Sequence, residues 1–331
     1  MSEILNLLTL EEDGLAKLYS ERVEPILRTQ EENRREAMRA FWLRTALTIP
    51  ATLGAAALAN WIFADAQAAF MAGAVTAIGG GAIAYMPLQA VASATKVQSL
   101  TAIAGAIGCR YQVSGFQPEA LPTFSELKLL PSCDRSNYED CFDGSHHGCN
   151  FAFYEGHLEN RVQTKNGSRW VTVFRGQLVR IAFPKKFLGT TIIRRDRGMF
   201  NFMQRWMSTL QHVGLGDSRL EKAFEVYSND QVEARYLIHP VFMERLLELE
   251  AAFKGKNLRG AFVDGDLLIA IEGGDKFEVG SMFSNLNDIA RARSIVADIT
   301  EIMRLIDAVL TAEQGALPQK ETGPASPDPS D

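Results

Sequence analysis

TALTIPATLGAAALANWIFADAQAAFMAGAVTAIGGGAIAYMPLQAVASAT, from Thr45 to Thr95, carries one charged side chain, Asp65, in about fifty residues, where the chain's overall 22% of charged residues would place about eleven. It divides at Ala64-Asp65 into two apolar runs, residues 46–63 and 66–85. At a helical rise of about 1.5 Å per residue, each run comes close to the roughly 30 Å of a bilayer's hydrocarbon core. A charge at mid-bilayer costs about 2.5–3.5 kcal/mol on insertion scales, so uncharged runs of this length are what a spanning segment requires. Asp65 falls at the tip, where that cost vanishes. The stretch therefore predicts a membrane helical hairpin over residues 45–87.

Trp61 and Phe63 beside the tip, with Phe41, Trp42 and Tyr85 near the other ends, have the placement of interfacial aromatic anchors. Pro50 is expected to bend the first span without ending it, because freed carbonyls find other donors, Thr hydroxyls among them. Small residues allow close helix approach in lipid, so the face from Gly73 to Gly81 is expected to pack on the first span or on a second copy of the chain, making a homo-oligomer. The competing reading is an Ala-rich soluble hairpin buried in a core or an oligomer interface. Arg34, Arg35, Arg39 and Arg44 precede the first run, Lys96 and Arg110 follow the second, and the tip has no Lys or Arg. This asymmetry predicts that both termini are cytoplasmic. The acidic first twenty residues predict no signal peptide of the usual design.

The remaining chain, roughly two hundred residues after Lys96, is long enough to bury a core. A net charge of −6 argues against a general nucleic-acid binder. Residues 1–44 read as a juxtamembrane helical segment that Pro25 kinks, and 88–108 as an amphipathic connector helix beyond Pro87. From Cys109 to Leu310 the pattern is that of an α+β soluble domain with a mainly antiparallel sheet. Strands are expected at 110–113, 151–155, 158–163, 170–174, 177–183, 190–194, 225–228, 233–238, 258–263, 266–271 and 276–279. Asn166-Gly167 and Asp264-Gly265 between apolar runs are hairpin signals. A short packing segment at 200–210, a helix opened by His239-Pro240 and a final helix over 285–310 complete the domain. The Pro- and Ser-rich 311–331 reads as a disordered tail. Arg194 and Arg195, with Lys185, Lys186 and Arg197, read as charges protecting a sheet edge, or else as contacts to anionic lipid.

Five local strings carry a family resemblance: Glu139-Asp140-Cys141-Phe142-Asp143-Gly144, Val173-Phe174-Arg175-Gly176, Phe183-Pro184-Lys185-Lys186-Phe187, the run from Tyr227 to Arg235 and the run from Asp264 to Ile271. With the overall layout, they resemble a bacterial family known as domain of unknown function 3137. The resemblance implies a two-span inner (cytoplasmic) membrane protein with a cytoplasmic α+β domain, and no activity.

The richest polar cluster runs from Cys133 to His157 and reads as a surface loop with small buried thiols. Cys133, Cys141, His146, His147 and Cys149 are the metal-ligand candidates, because thiolate and imidazole suit zinc. Their spacing argues against a structural zinc site: seven residues separate Cys133 from Cys141 and Cys141 from Cys149, whereas zinc knuckles pair ligands about two to four residues apart. The thiols, on the cytoplasmic side, are expected to be reduced. For acid–base or nucleophilic chemistry the candidates are Cys141, Asp143, His146, Glu155 and His157. Phosphate-loop, His-Glu-x-x-His and Gly-x-Ser-x-Gly patterns are missing, and no cofactor is predicted. Together these readings favour a non-enzymatic, membrane-anchored binding or scaffold module, partnered by the bilayer and by a membrane or cytoplasmic protein. The alternative is a hydrolase or metal-dependent enzyme centred on Cys133 to His157.

Overall fold

The apolar stretch folds as two long helices, α1 (Glu24–Phe63) and α2 (Ala66–Ala106), reversing at Ala64-Asp65. Ala64 turns the chain with φ 49°, and Asp65 caps α2 by accepting from the backbone N–H of Gln67 at 3.0 Å and Ala68 at 3.3 Å. These bonds satisfy helix donors that have no partner within the helix. The computed structural model describes residues 20–21, 24–165, 167–195, 209–274 and 289–316. The chain forms two units, Met1–Val113 with Asp275–Val296, and Ser114–Gly274 with Ala297–Asp331.

In the first unit the helices run well beyond the apolar windows. Pro25, expected to kink the leading segment, lies in the first turn of α1, where a missing N–H costs nothing. Pro87 lies inside α2, and the expected connector is the same helix continued to Ala106. Proline at 87 leaves the Ile83 carbonyl, four residues earlier, without its helical donor. That oxygen instead accepts from Arg44 Nη1 at 3.0 Å. Two glycines bring the helices together: a Cβ at Gly73 would lie 3.5 Å from Ala56 Cβ, and one at Gly80 only 1.7 Å from Thr48 Cγ2. Gly79 and Gly81 face open space. Toward the open end, Leu88 and Ala37 are buried among Met38, Phe41, Val91 and Ala92, and Gln30 donates to Gln98 at 2.8 Å. A short strand, β1 (Arg110–Gln112), follows α2.

The second unit contains α3 (Leu121–Glu126), β2 (Arg135–His146), β3 (Cys149–Thr164), β4 (Gly167–Ala182), β5 (Thr191–Arg195), β6 (Gln211–His212), α4 (Ser218–Ala223), β7 (Phe224–Ser228), α5 (Gln231–Leu237), α6 (Pro240–Ala252), β8 (Lys256–Val263) and β9 (Asp266–Glu272). Helix α7 (Ile289–Ala316) belongs to this unit from Ala297 onward. The strands β2 to β9 form one sheet in the order β2-β3-β4-β9-β8-β5-β7-β6, and their pairings are antiparallel.

Alternation along the strands gives the sheet two apolar faces. Tyr154, Leu158, Phe174, Leu178, Ala261 and Leu268 pack with Phe124 and Leu129 of the α3 segment. On the opposite face, Phe153 meets Phe253 just after α6 at 6.0 Å between ring centroids, and Phe262 meets Phe242 of α6 at 5.3 Å. Burial on both sides explains the uninterrupted apolar run from Leu267 to Ile271 in β9, each residue of which is 0% exposed.

The mainly antiparallel sheet with helices agrees with the expected fold class; the Asp264-Gly265 signal lies between the paired strands β8 and β9, and Gly167 opens β4 opposite Thr164 of β3. Several local expectations need correction. Residues 233–238, expected as a strand, lie largely in α5, which Asp230 nucleates by accepting from the N–H groups of Val232 and Glu233 at 3.0 and 2.9 Å. The stretch from Cys133 to His157, expected as a loop, forms β2 and most of β3 instead. Arg194 and Arg195, expected at a sheet edge, stand on β5 between β8 and β7. The final helix continues past Leu310 to Ala316. The expectations for residues 1–19, 200–208, 276–279 and 317–331, and for Arg197, lie outside the described residues.

Candidate metal centre

The tip of the β2–β3 hairpin does what a strand alone does not. Consecutive side chains on a strand point to opposite faces, so His146 and His147 would normally diverge. Here His146 pairs with Cys149 across a two-residue turn, His147-Gly148. Both turn residues have positive φ, 48° and 82°, the combination a type I′ turn needs. Gly148 accepts this geometry freely, whereas His147 bears the cost of a left-handed backbone. The turn brings the two imidazoles into a stack, 4.1 Å between centroids and 22° between planes.

Both rings address one carboxylate, 160 residues later in the chain. Asp307 Oδ1 on α7 lies 2.8 Å from His146 Nε2 and 3.1 Å from His147 Nδ1. The three ligand atoms all lie within 4.8 Å of one another. The His146 side chain is 2% exposed, Asp307 34% and His147 50%, so the set reaches from the interior to the surface. Asp307 also lines a hollow of about 440 Å³ with His239, Val241, Arg245, Arg304, Ala308 and Thr311. His239 caps α6 and its Nε2 lies 3.1 Å from the Ala308 carbonyl. Arg304 pairs with Glu301 at 2.6 Å, and Arg245 with Glu248. The hollow thus sets two glutamate-paired guanidinium groups and the Asp307 carboxylate beside an apolar wall of Val241 and Ala308.

The other sequence candidates are spread over the domain. Cys133 and Cys141 pack against the core cluster around Tyr154, while Cys149 is fully buried opposite His146. None of the four cysteines is in a disulfide. Burial, aided by the nearby Asp134 charge, pushes the Cys133 thiol up, away from the thiolate that nucleophilic attack needs. Burial likewise raises the Tyr154 hydroxyl. Glu155 accepts from the buried Gln177 amide at 2.9 Å. Asp143, partly buried, pairs in register with Ala152. His157 contacts Thr172 Oγ1 at 2.9 Å; it stands eight residues along β3 from Cys149, about 26 Å at roughly 3.3 Å per residue. The structure thus joins His146 and His147 to Asp307 and not to Asp143 or Glu155. Sequence reasoning missed Asp307, His239, Arg245 and Arg304. Asp307 had one signal, a carboxylate directly after Ile306 on a helix whose Ile302, Ile306 and Val309 are all buried.

A pair of long apolar helices and a two-faced antiparallel sheet with a His/Asp cluster define a hairpin-plus-α+β protein. The model of a family described as "Protein of unknown function (DUF3137)" matches residues 172–310, which supports membership of that family. The match covers β5 to β9 and α4 to α6, most of β4 and α7 as far as residue 310. A comparison with curated proteins found no match. Among solved structures, the crystal structure of the mycobacterial trehalose monomycolate transport factor A, TtfA, aligns with a TM-score of 0.31 and 10% identity, over 62% of this chain and 93% of that chain.

Proposed function

We propose that this protein is a membrane-anchored binding module of the bacterial inner membrane, with both termini and the antiparallel-sheet domain on the cytoplasmic side. One observation carries the anchoring: α1 and α2 leave their large apolar side chains uncovered over the stretch that holds a single charge. Leu53 is 66% exposed, Trp61 81%, Phe70 74% and Ile78 75%, within helices whose best windows reach a mean hydropathy of 1.5. In water such a surface would invite aggregation, whereas in lipid it is the expected exterior. The arginines before the first apolar run and the lone Asp65 at the tip support the orientation. The hollow walled by Arg245, Arg304, Val241 and Ala308 supports a binding role.

The test for anchoring is topology in intact cells. Asp65→Cys is expected to react with a membrane-impermeant maleimide from outside, while the partly exposed domain thiols Cys133 and Cys141 react only after the membrane is opened. A tip that stays unlabelled, or a full chain recovered in the soluble fraction, would overturn the anchoring. The test for binding is turnover of esters, phosphates and peptides by the full chain in detergent; turnover lost in Asp307→Asn would replace binding with catalysis.

A further inference from the structure

We infer that His146, His147 and Asp307 bind one divalent transition-metal ion, with Zn²⁺ the best-suited occupant. The inference rests on the second unit alone and does not depend on the membrane reading.

The two His–Asp separations are close to those an ion would impose, and the two imidazole nitrogens lie within 4.8 Å of each other. Imidazole nitrogen and carboxylate oxygen bind Zn²⁺ at about 2.0–2.2 Å, so in a tetrahedron neighbouring ligand atoms sit about 3.3 Å apart. The two His–Asp separations are 2.8 and 3.1 Å. Replacing the shared protons by an ion therefore asks the side chains to open by only a few tenths of an ångström. Two imidazoles with one carboxylate favour zinc, cobalt, nickel or copper over calcium and magnesium, which prefer oxygen ligands alone.

The local backbone supports the same reading. A hairpin whose only task was to turn would gain from Asn or Gly at position 147. Histidine there bears the left-handed conformation and in return directs a second imidazole to the oxygen that His146 already contacts. A simple hydrogen-bonded latch between the hairpin and α7 needs one imidazole; the second is what a three-ligand site needs. Asp307 is shared with the wall of the hollow, so exchangeable ligands of the ion would arrive there, near Arg245 and Arg304. An anion carried on the metal and paired with a guanidinium is the ligand class this arrangement favours.

The test is a titration of the full chain in detergent, purified without a polyhistidine tag and stripped with a chelator. Co²⁺ is the probe, read by its visible absorption and displaced by Zn²⁺, with thermal unfolding followed in parallel. The expected result is one equivalent per chain, a rise in unfolding temperature on loading, and binding at least about tenfold weaker in both Asp307→Asn and His147→Asn. Both variants keep a polar side chain at the site, so each is expected to unfold cooperatively without metal, even if His146→Ala fails to fold. Absence of saturable binding below about 100 µM, or equal affinity in wild type and both variants, would overturn the site and leave a hydrogen-bonded latch.

Discussion

Glu250→Ala is expected to destabilise the sheet domain by about 3 kcal/mol, because Glu250 serves two elements at once. Its carboxylate is buried, 8% exposed, and pairs with Arg195 of β5, itself 26% exposed. Oε1 also accepts from Leu258 N–H at 3.0 Å, a donor set where the β8 register shifts between Lys256 and Arg259. Breaking a buried ion pair from one side costs about 3–5 kcal/mol, and an unsatisfied N–H adds about 1–3 kcal/mol. Two features reduce the sum: Arg195 retains some water, and its guanidinium lies 4.4 Å over the Phe224 ring, a contact that survives the mutation. For a unit of about two hundred residues, 3 kcal/mol corresponds to a fall in Tm of roughly 6–12 °C. The assay is thermal unfolding of the full chain in detergent by near-UV circular dichroism, with Arg195→Met and the double variant Arg195→Met/Glu250→Ala closing a cycle. The Leu258 N–H loses its Glu250 acceptor in both Glu250 variants, so the coupling isolates the ion pair. A loss below about 0.5 kcal/mol that vanishes in salt is the behaviour of an exposed pair. It would refute the placement of Arg195 between two strands and under α6.

Three further outcomes follow from particular contacts. Gly80→Leu is expected to disrupt the α1–α2 hairpin by about 1–3 kcal/mol, since even a Cβ there would lie 1.7 Å from Thr48 Cγ2; Gly79→Leu, facing open space, should leave the fold intact in an SDS-titration assay and lower the oligomeric mass only where a second copy packs on that face. Cys133 should alkylate with a midpoint above that of an ordinary thiol, and because its raised pKa favours the protonated form in the fold, its contribution to stability is present below the unfolded-state value and lost as pH rises through the folded one. His147→Asn should raise domain stability by about 0.5–1 kcal/mol in metal-free buffer, because Asn adopts a left-handed backbone more readily; a loss of stability there would mean that the His147–Asp307 contact outweighs the strain.

The hairpin of helices was legible because its signal is the near-absence of charge over about fifty residues, and no local conformational detail can imitate that. The Asp264-Gly265 turn was legible for a different reason, since few residue pairs tolerate two consecutive positive φ values, here 53° and 99°. What failed was short and ambiguous. In α5, Val232, Ala234, Tyr236 and Ile238 alternate as a strand would, yet Asp230 caps a helix, and the buried residues are Ala234 and Leu237, three apart as on a helix face. In β2, the polar run reads as a surface loop, but the long partner strand holds it extended, with Asp143 opposite Ala152 and Gly144 opposite Phe151. The edge reading of Arg194 and Arg195 failed because both charges are engaged within the fold: Arg194 donates to the carbonyls of Lys128 and Leu127 at the end of α3, and burial next to Arg259 lowers its pKa to about 10, while Arg195 turns to Glu250 on the opposite face.

Half of the candidate centre was visible in sequence, and the missing half shows why spacing misled. His146 and His147 stood out as adjacent imidazoles, but the ligand spacings considered were local, those of knuckles in which one short segment supplies a pair. Here a strained hairpin supplies two ligands and the third comes from a helix 160 residues on. No local count of residues encodes that distance; the antiparallel sheet and the burial of α7 set it. Asp307 follows Ile306, which is 0% exposed, so the same helix face that seals the core delivers the carboxylate. Function at this position is therefore coupled to packing: substitutions at Ile302, Ile306 or Val309 that shift α7 would move Asp307 away from the imidazoles without touching a ligand.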